Sequence, residues 1–376
     1  MRRGAWIDRR AALVGVGASL ALARSDVASA GCASDVSLGA LAQAAGVTFG
    51  CSIGVDALSD PAYTALVLHH ARILTSDLAF KLPFINPQRG RFDFQRADQL
   101  VAFADTNRIP LRAHTLFWDL ANPQWVTRLT ARERAYEMDR IVDTVVGRYR
   151  GRIHSWDVVN EPFWPGFGEP GGFRKGAWYD AMGESYVMRA FKRAALADPA
   201  ARLVLNCDMS ERDDALGHGI RSSILRLVER MQDAGCRLDA VGLQGHLDPS
   251  LPFEPGAFTA FLARLAERKV DVYITELDVL DTGLPRDVAT RDAAVAGQYA
   301  TFLDAVLKVP AVKIVATWQL ADAKSWYRSE WYRSVTPTLP PGWRSRPLPF
   351  DDRLQAKPAY RAMTDAFCSA AAMRRR

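Results

Sequence analysis

The chain has 376 residues, 49% of them hydrophobic and 24% charged, which is enough apolar material for a large core and too much for a disordered chain. Its formal charge is +6, but five Arg against two Asp in the first 30 residues leave only +3 for the remainder. A balance that small excludes the strongly basic character of a nucleic-acid binder.

The amino terminus reads as a targeting segment: Arg9-Arg10 precede a Gly/Ala-rich apolar stretch from Ala11 to Ala23, followed by Ala28-Ser29-Ala30 with small residues at a cleavage position. The Arg pair resembles a twin-arginine export signal, with Asp8 before it and Ala11-Ala12-Leu13 after it. Residues 1–30 are therefore expected to be an export signal, and the mature protein periplasmic or extracellular. Acylation of Cys32 fits less well, because Ser29 stands where a large apolar residue is expected. The apolar run is too short to span a bilayer comfortably and no other stretch is longer, so no span is expected in the mature chain. The five cysteines (Cys32, Cys51, Cys207, Cys236 and Cys368) permit disulfides in an exported chain without specifying their pairing. They form no C-x-x-C pair and have no His at ligand spacing, so no metal site is expected.

Beyond the signal, short β-branched runs alternate with longer segments of helical period, the mark of βα units. Strands are predicted near 47–51, 72–75, 111–115, 153–159, 202–205, 239–243, 270–275 and 313–318. Amphipathic segments lie at 131–149, 179–197, 215–234, 258–268 and 291–308, and a last one follows Pro358. Eight strands with eight helices predict a single (β/α)8 TIM barrel, and with no linker, repeat or charge block to divide it, one domain spans 32–376. The longest irregular segment, 327–349, holds five Pro, two Trp and four Arg and follows the eighth strand, which makes it a candidate active-site loop.

Barrel chemistry sits at the carboxyl ends of the strands, so polar residues that end the apolar runs are the candidates. His114, Asn160-Glu161, Asn206, Gln244 with His246, Glu276 with Asp278, and Trp318 all fall there. Glu161 and Glu276 end the fourth and seventh strands, so they can face each other across a cleft. Such a carboxyl pair serves glycoside hydrolysis: about 5–5.5 Å apart for retention, about 6.5–9.5 Å for inversion.

At these positions the chain resembles glycoside hydrolase family 10, whose members are mostly endo-acting β-1,4-xylanases. SWDVVNEP (155–162) is similar to the family's acid/base motif and ITELDV (274–279) to its nucleophile motif. VGLQGHL (241–247), LRAHTLFW (111–118) and the W-x3-D-x2-SW run (318–326) recur in the expected order. The resemblance covers nearly the whole mature chain and implies that Glu276 attacks the anomeric carbon while Glu161 protonates the leaving sugar and then activates water. It further implies that His246 bonds Glu276 and is oriented by Asp278, and that Asn160 meets the sugar 2-hydroxyl. Lys81, His114, Trp118 and Gln244 are implied to line the sugar, and Trp318 and Trp326 to stack on pyranose rings. The expected partner is a poly- or oligosaccharide, with no cofactor, no metal and no nucleic acid, and the protein is expected to be a monomer.

Three places depart from the family pattern. The usual Glu-Asn-Glu-Met-Lys-Trp after the second strand is replaced by Asp77-Leu78-Ala79-Phe80-Lys81-Leu82. Asn206-Cys207-Asp208-Met209 stands in place of Asn-Asp-Tyr-Asn, and Asp119 in place of a His. Leu78 cannot bond a hydroxyl, so retained chemistry with an altered glycan preference is expected: decorated xylan or a bacterial exopolysaccharide, with Arg328, Arg333, Arg344 and Arg346 suited to an acidic sugar. A glycan-binding protein with decayed catalysis is the competing expectation, opposed by the intact Glu161, Asn160, His246, Asp278 and Glu276.

Overall fold

The computed structural model describes residues 36–375 apart from 337, 338 and 341, so the expected export signal and Cys32 lie outside the described residues. Eight parallel strands form the centre: β1 Thr48–Ile53, β2 Ile73–Ser76, β3 Leu111–Ala113, β4 Ser155–Asn160, β5 Arg202–Cys207, β6 Ala240–Leu243, β7 Asp271–Val279 and β8 Val312–Thr317. Each pairs with the next, and β1 also pairs with β8, Gly50 lying between Ala316 on one side and Ile73 on the other. The sheet therefore closes on itself and has no edge strand to protect. Two short pieces, Phe117–Trp118 beside β4 and His246–Leu247 beside β7, extend the carboxyl-terminal rim.

A helix follows every strand: α1 Pro61–His70, α2 Gln95–Asn107, α3 Ala131–Arg148, α4 Ser185–Ala197, α5 Ala215–Asp233, α6 Pro255–Glu267, α7 Val288–Val306 and α8 Pro358–Arg374. Their starts are written in the sequence. Asp60, Asp214 and Asp287 each accept a backbone N–H of the first turn, and Thr130 forms a reciprocal capping box with Glu133. Arg148–Asp98, Arg189–Asp139 and Arg193–Asp143 tie α2, α3 and α4 together at the surface. Exposed pairs of this kind contribute about 0–1 kcal/mol each, so packing of apolar helix faces on the barrel holds the ring.

The predicted (β/α)8 barrel is the fold found, with every predicted strand window overlapping an observed strand. One boundary shift matters: β7 runs on to Val279, so Glu276 and Asp278 lie inside the strand rather than at or past its end. Helices α1 and α2 were not among the predicted segments. In α1 apolar and polar residues are spread around the whole circumference, which leaves no periodic signal. Ser37–Arg376 forms one compact unit. Among the described residues no helix is long and apolar enough to cross a membrane. Cys51, Cys207 and Cys236 are free and buried, and Cys368 is disulfide-bonded.

Candidate active site

The barrel ladder itself carries the two glutamates into one site. The Glu161 amide donates to the Asn206 carbonyl, that of Gln244 to the Cys207 carbonyl, and that of Glu276 to the Gln244 carbonyl, at 2.8–2.9 Å. Glu161 directly follows β4 and has φ of +50°, the left-handed region, before Pro162. For a residue with a Cβ that conformation costs about 1–2 kcal/mol, a strain of the kind that gathers at functional sites.

Glu276 is 4% exposed and held from several directions. Asn206 Nδ2 donates to Glu276 Oε1 at 2.7 Å and to Asn160 Oδ1 at 2.8 Å, so one amide bridges the surroundings of both glutamates. Thr275 Oγ1 donates to Asn206 Oδ1 at 2.8 Å, which fixes the amide with its NH2 group toward Glu276. Gly242 makes room for this arrangement, since a Cβ there would stand 2.2 Å from Asn206 Oδ1. His246 Nε2 lies 3.5 Å from Glu276 Oε2, and His114 Nδ1 3.9 Å from Oε1. Burial pushes the Glu276 carboxyl up, but His114, His246 and Lys81 outweigh it and bring the carboxyl down to about 2.

His246 is oriented by Asp278, whose Oδ1 is 2.8 Å from His246 Nδ1. Asp278 is fully buried and also accepts from Tyr327 Oη at 3.0 Å and from Trp326 Nε1 at 2.8 Å. Burial opposes charge on the His246 imidazole, yet Asp278 and Glu276 raise it well above the usual histidine range. The charged form of the imidazole is thus favoured by the carboxylates it faces.

On the other strand, Glu161 Oε1 accepts from Gln244 Nε2 at 2.9 Å and from Asn160 Nδ2 at 3.3 Å. Arg174 donates through Nε to the Glu161 carbonyl at 3.0 Å, and its Nη2 is 3.6 Å from Glu161 Oε2. Lys81 Nζ sits over the rings of Trp118 at 5.1 Å and Trp318 at 5.5 Å. Trp318 is 4% exposed and packs against the His114 ring, while Trp326 lies against the His246 ring at 5.1 Å. The eleven residues to which the resemblance gives a role are gathered in this linked set of contacts at the barrel's carboxyl-terminal mouth.

Sequence reasoning gave Asn206 no contact role, named Tyr327 only as the start of a candidate active-site loop, and assigned nothing to Arg112, Asp157 or Arg174. Arg112 and Asp157 form a fully buried ion pair at 2.5 Å inside the barrel, and Asp157 Oδ2 lies 3.0 Å from His114 Nδ1. Charged residues in otherwise apolar strands were the available signal for that pair. Arg174 lies in the irregular stretch between β4 and α4, where no periodicity points to it.

The expectation for the 327–349 arginines is overturned in part. Arg346 forms a paired contact with Asp292 at 2.7–2.9 Å, and Arg328 binds Asp352 and the Ser345 carbonyl. Both are largely buried and spent on holding the segment, leaving no charge for an acidic sugar. Arg344 is exposed and pairs with Asp352 at 3.2 Å. The segment also contains a helix, Glu330–Val335, and is anchored to the end of β7 by Arg346 N and Trp343 Nε1 on Asp281. Asp119 has a structural contact, accepting the Trp178 amide at 3.1 Å. Among the described residues no group of His, Cys, Asp and Glu is arranged to hold a metal ion.

Comparison with known proteins agrees with the fold. The model of glycosyl hydrolase family 10 matches residues 37–366. Endo-1,4-beta-xylanase C of Phanerodontia chrysosporium is 32% identical over 339 residues, covering 89% of this chain and 80% of that protein. Endo-1,4-beta-xylanase B of Thermotoga neapolitana is 30% identical over 339 residues, 88% of this chain and 91% of its own. The crystal structure of native xylanase 10B from Thermotoga maritima superposes with a TM-score of 0.78 at 29% identity, covering 90% of this chain and all of that one. The chain belongs to glycosyl hydrolase family 10.

Proposed function

We propose that the protein is a retaining glycoside hydrolase that cleaves β-1,4-linked xylan or a xylan-like polysaccharide by double displacement. In this reading Glu276 attacks the anomeric carbon and Glu161 donates a proton to the leaving oxygen. Glu161 then takes a proton from water as that water releases the sugar from Glu276. The observation that carries the reading is the asymmetry of the two carboxyls. Glu276 is buried, brought down to about 2 and surrounded by Asn206, His246, His114 and Lys81, as a nucleophile that must stay ionised requires. His246, set by Asp278, holds the nucleophile in place, and Asn160 is aimed at the 2-hydroxyl by its bond to Asn206. Lys81, Trp118, Gln244, Trp318 and Trp326 line the bound sugars.

Proton NMR of the first product formed from a β-linked xylo-oligosaccharide tests this reading. The β-anomer is expected to appear first and the α-anomer only by later mutarotation; an initial α-product would refute retention. Cleavage abolished in Glu276→Ala separates the reading from a glycan-binding protein with decayed catalysis, which would hydrolyse nothing even as wild type.

One observation favours a glycone preference other than plain xylan. Leu78 is 36% exposed at the rim, while Asp77 is turned toward Gln319 Nε2 at 3.4 Å. A leucine at that place offers an apolar contact and no hydrogen bond, which suits a decorated xylan or an exopolysaccharide unit. For the chain as synthesised, Arg9-Arg10 and Ala28-Ser29-Ala30 support export to the periplasm or beyond with removal of residues 1–30. The mass of the secreted protein checks the cleavage. A single catalytic domain acting as a monomer is the proposed working form.

A further inference from the structure

The end of the barrel opposite the active site holds a second cavity. It encloses about 330 Å³ where the strands begin, enough for a small ligand. Buried Tyr273 of β7 lines its inner side. Around it stand Arg72 just before β2, His154 just before β4, Arg202 and Asp271 at the starts of β5 and β7, and Lys313 in β8. The cavity is open to solvent: the Arg202 and Asp271 side chains keep 36% and 30% of their surface accessible, and Lys313 is exposed. None of these residues takes part in the proposed chemistry.

The charges at this end do not cancel. Arg202 Nη2 donates to Asp271 Oδ2 at 2.6 Å, and Arg237 pairs with Asp239 at 2.9 Å. Arg112, 5.5 Å from the Tyr273 ring, is matched by Asp157. Among the described residues, Arg72 and Lys313 have no carboxylate within ion-pair distance. Arg72 donates to the His69 and Ala71 carbonyls and to Ser37 Oγ, and Lys313 to the Pro310 carbonyl. Two positive charges are therefore left over at one cavity, which draws anions toward it. The His154 imidazole reports the same field: burial first, then the charges of Arg112 and Arg202, bring it down to about 4.

We propose that this cavity is a binding site for a phosphate-type dianion, with Arg72, Lys313 and His154 as its donors. The two unmatched cations equal the charge of such an ion, and its several oxygens can accept from a guanidinium, an ammonium and an imidazole at once. A neutral imidazole still has one N–H to give. The donors come from the starts of β2 and β4 and from β8, so an ion held by all three links separate parts of the ring. The amino-terminal face of a barrel of this kind serves stability rather than chemistry, and a ligand that binds only the folded chain stabilises it. The site stands independently of the glycosidase reading.

Calorimetric titration with inorganic phosphate, and separately with glucose 6-phosphate, tests the site at about pH 7.5, where a phosphate monoester carries close to two charges. Ionic strength is held constant with chloride, and the His154 ring proton is followed by NMR, assigned by its absence in His154→Gln. Saturable binding with a Kd on the order of 1 mM or tighter is expected, with the His154 resonance moving along the same curve. Lys313→Ala, at an exposed position and checked for folding by circular dichroism, is expected to weaken binding roughly 10-fold. Tighter binding of the ester supports the site and makes its ligand a sugar phosphate; equal affinity supports it and makes the ligand the free ion. No saturation by about 50 mM of either probe, an unmoved His154 resonance, or wild-type affinity in Lys313→Ala overturns the assignment.

Discussion

Glu161, just past β4, and Glu276, inside β7, present the same side chain to the same site, and their surroundings treat it in opposite ways. Around Glu276 the neighbours are an amide, two imidazoles and a lysine. Asp278, two residues further along the strand, sits on the far nitrogen of His246. Among the described residues the cation paired with Glu161 is Arg174, and that cation is divided with a second buried carboxyl, Asp208. Concentrated positive charge suits a group that must remain an anion while it bonds to carbon. A cation shared with a neighbouring acid suits a group that must gain and lose a proton in each cycle. The fold brings both residues to one site, and their division of labour comes from what the adjacent strands present.

Removing the β7 side is expected to have the largest effect. Glu276→Ala should lower kcat on an oligosaccharide by roughly 10^5-fold, because the covalent route is lost and its supports cannot replace it. Glu161→Ala should cost roughly 10^2- to 10^4-fold on the same substrate. On aryl glycosides with acidic leaving groups the first step needs no proton, so Glu161→Ala should slow mainly the second step and accumulate glycosyl-enzyme, seen by mass spectrometry as added sugar mass. If the two variants lose activity in parallel on all leaving groups, the contrast between the two sides fails. A third variant sharpens it. Asp278→Ala removes the acceptor for His246, Trp326 and Tyr327 at once, and should lower stability by about 3 kcal/mol and kcat by roughly 10- to 100-fold. Urea unfolding alongside kinetics checks both figures.

The barrel was readable because each buried strand is a short β-branched run followed by a helix, and most of the helices are amphipathic with residues of capping type at their starts. Much of the site was readable for the same reason: Asn160, Glu161, Gln244 and His246 sit where an apolar run gives way to polar residues at the active rim. What escaped was set by contacts between segments far apart in the chain. Asn206 showed up as a strand end, but its bridging of Asn160 and Glu276 depends on Thr275 and on the space left by Gly242. Arg174 reaches Glu161 from an irregular connection, and nothing in local spacing announces that. Arg328 and Arg346 misled for the converse reason. Composition counted their charges, while the partners that consume them, Asp292 and Asp352, lie elsewhere in the sequence.

Acid provides the gentlest probe of the β7 side. The Glu276 carboxyl is brought from its ordinary value of 4.5 down to about 2, so folding favours its ionised form. A depressed carboxyl contributes stability that is fully present above its unfolded pKa and is lost as pH falls through the folded one. The window is therefore about pH 4.5 to pH 2, and the contribution on the order of 3 kcal/mol. Glu276→Gln lacks the titrating group, so the stability of the wild type relative to this variant should decline across that window and stay level between pH 5 and pH 6. His246 does not confound the measurement. Its raised pKa means that its own contribution is fully present below the unfolded histidine value and is lost only as pH rises through the folded one. Chemical denaturation of both proteins at half-unit intervals from pH 6 to pH 2 reads the difference. A constant offset throughout would mean that the cations around Glu276 do not favour its charge, and the contrast between the β4 and β7 sides would lose its electrostatic basis.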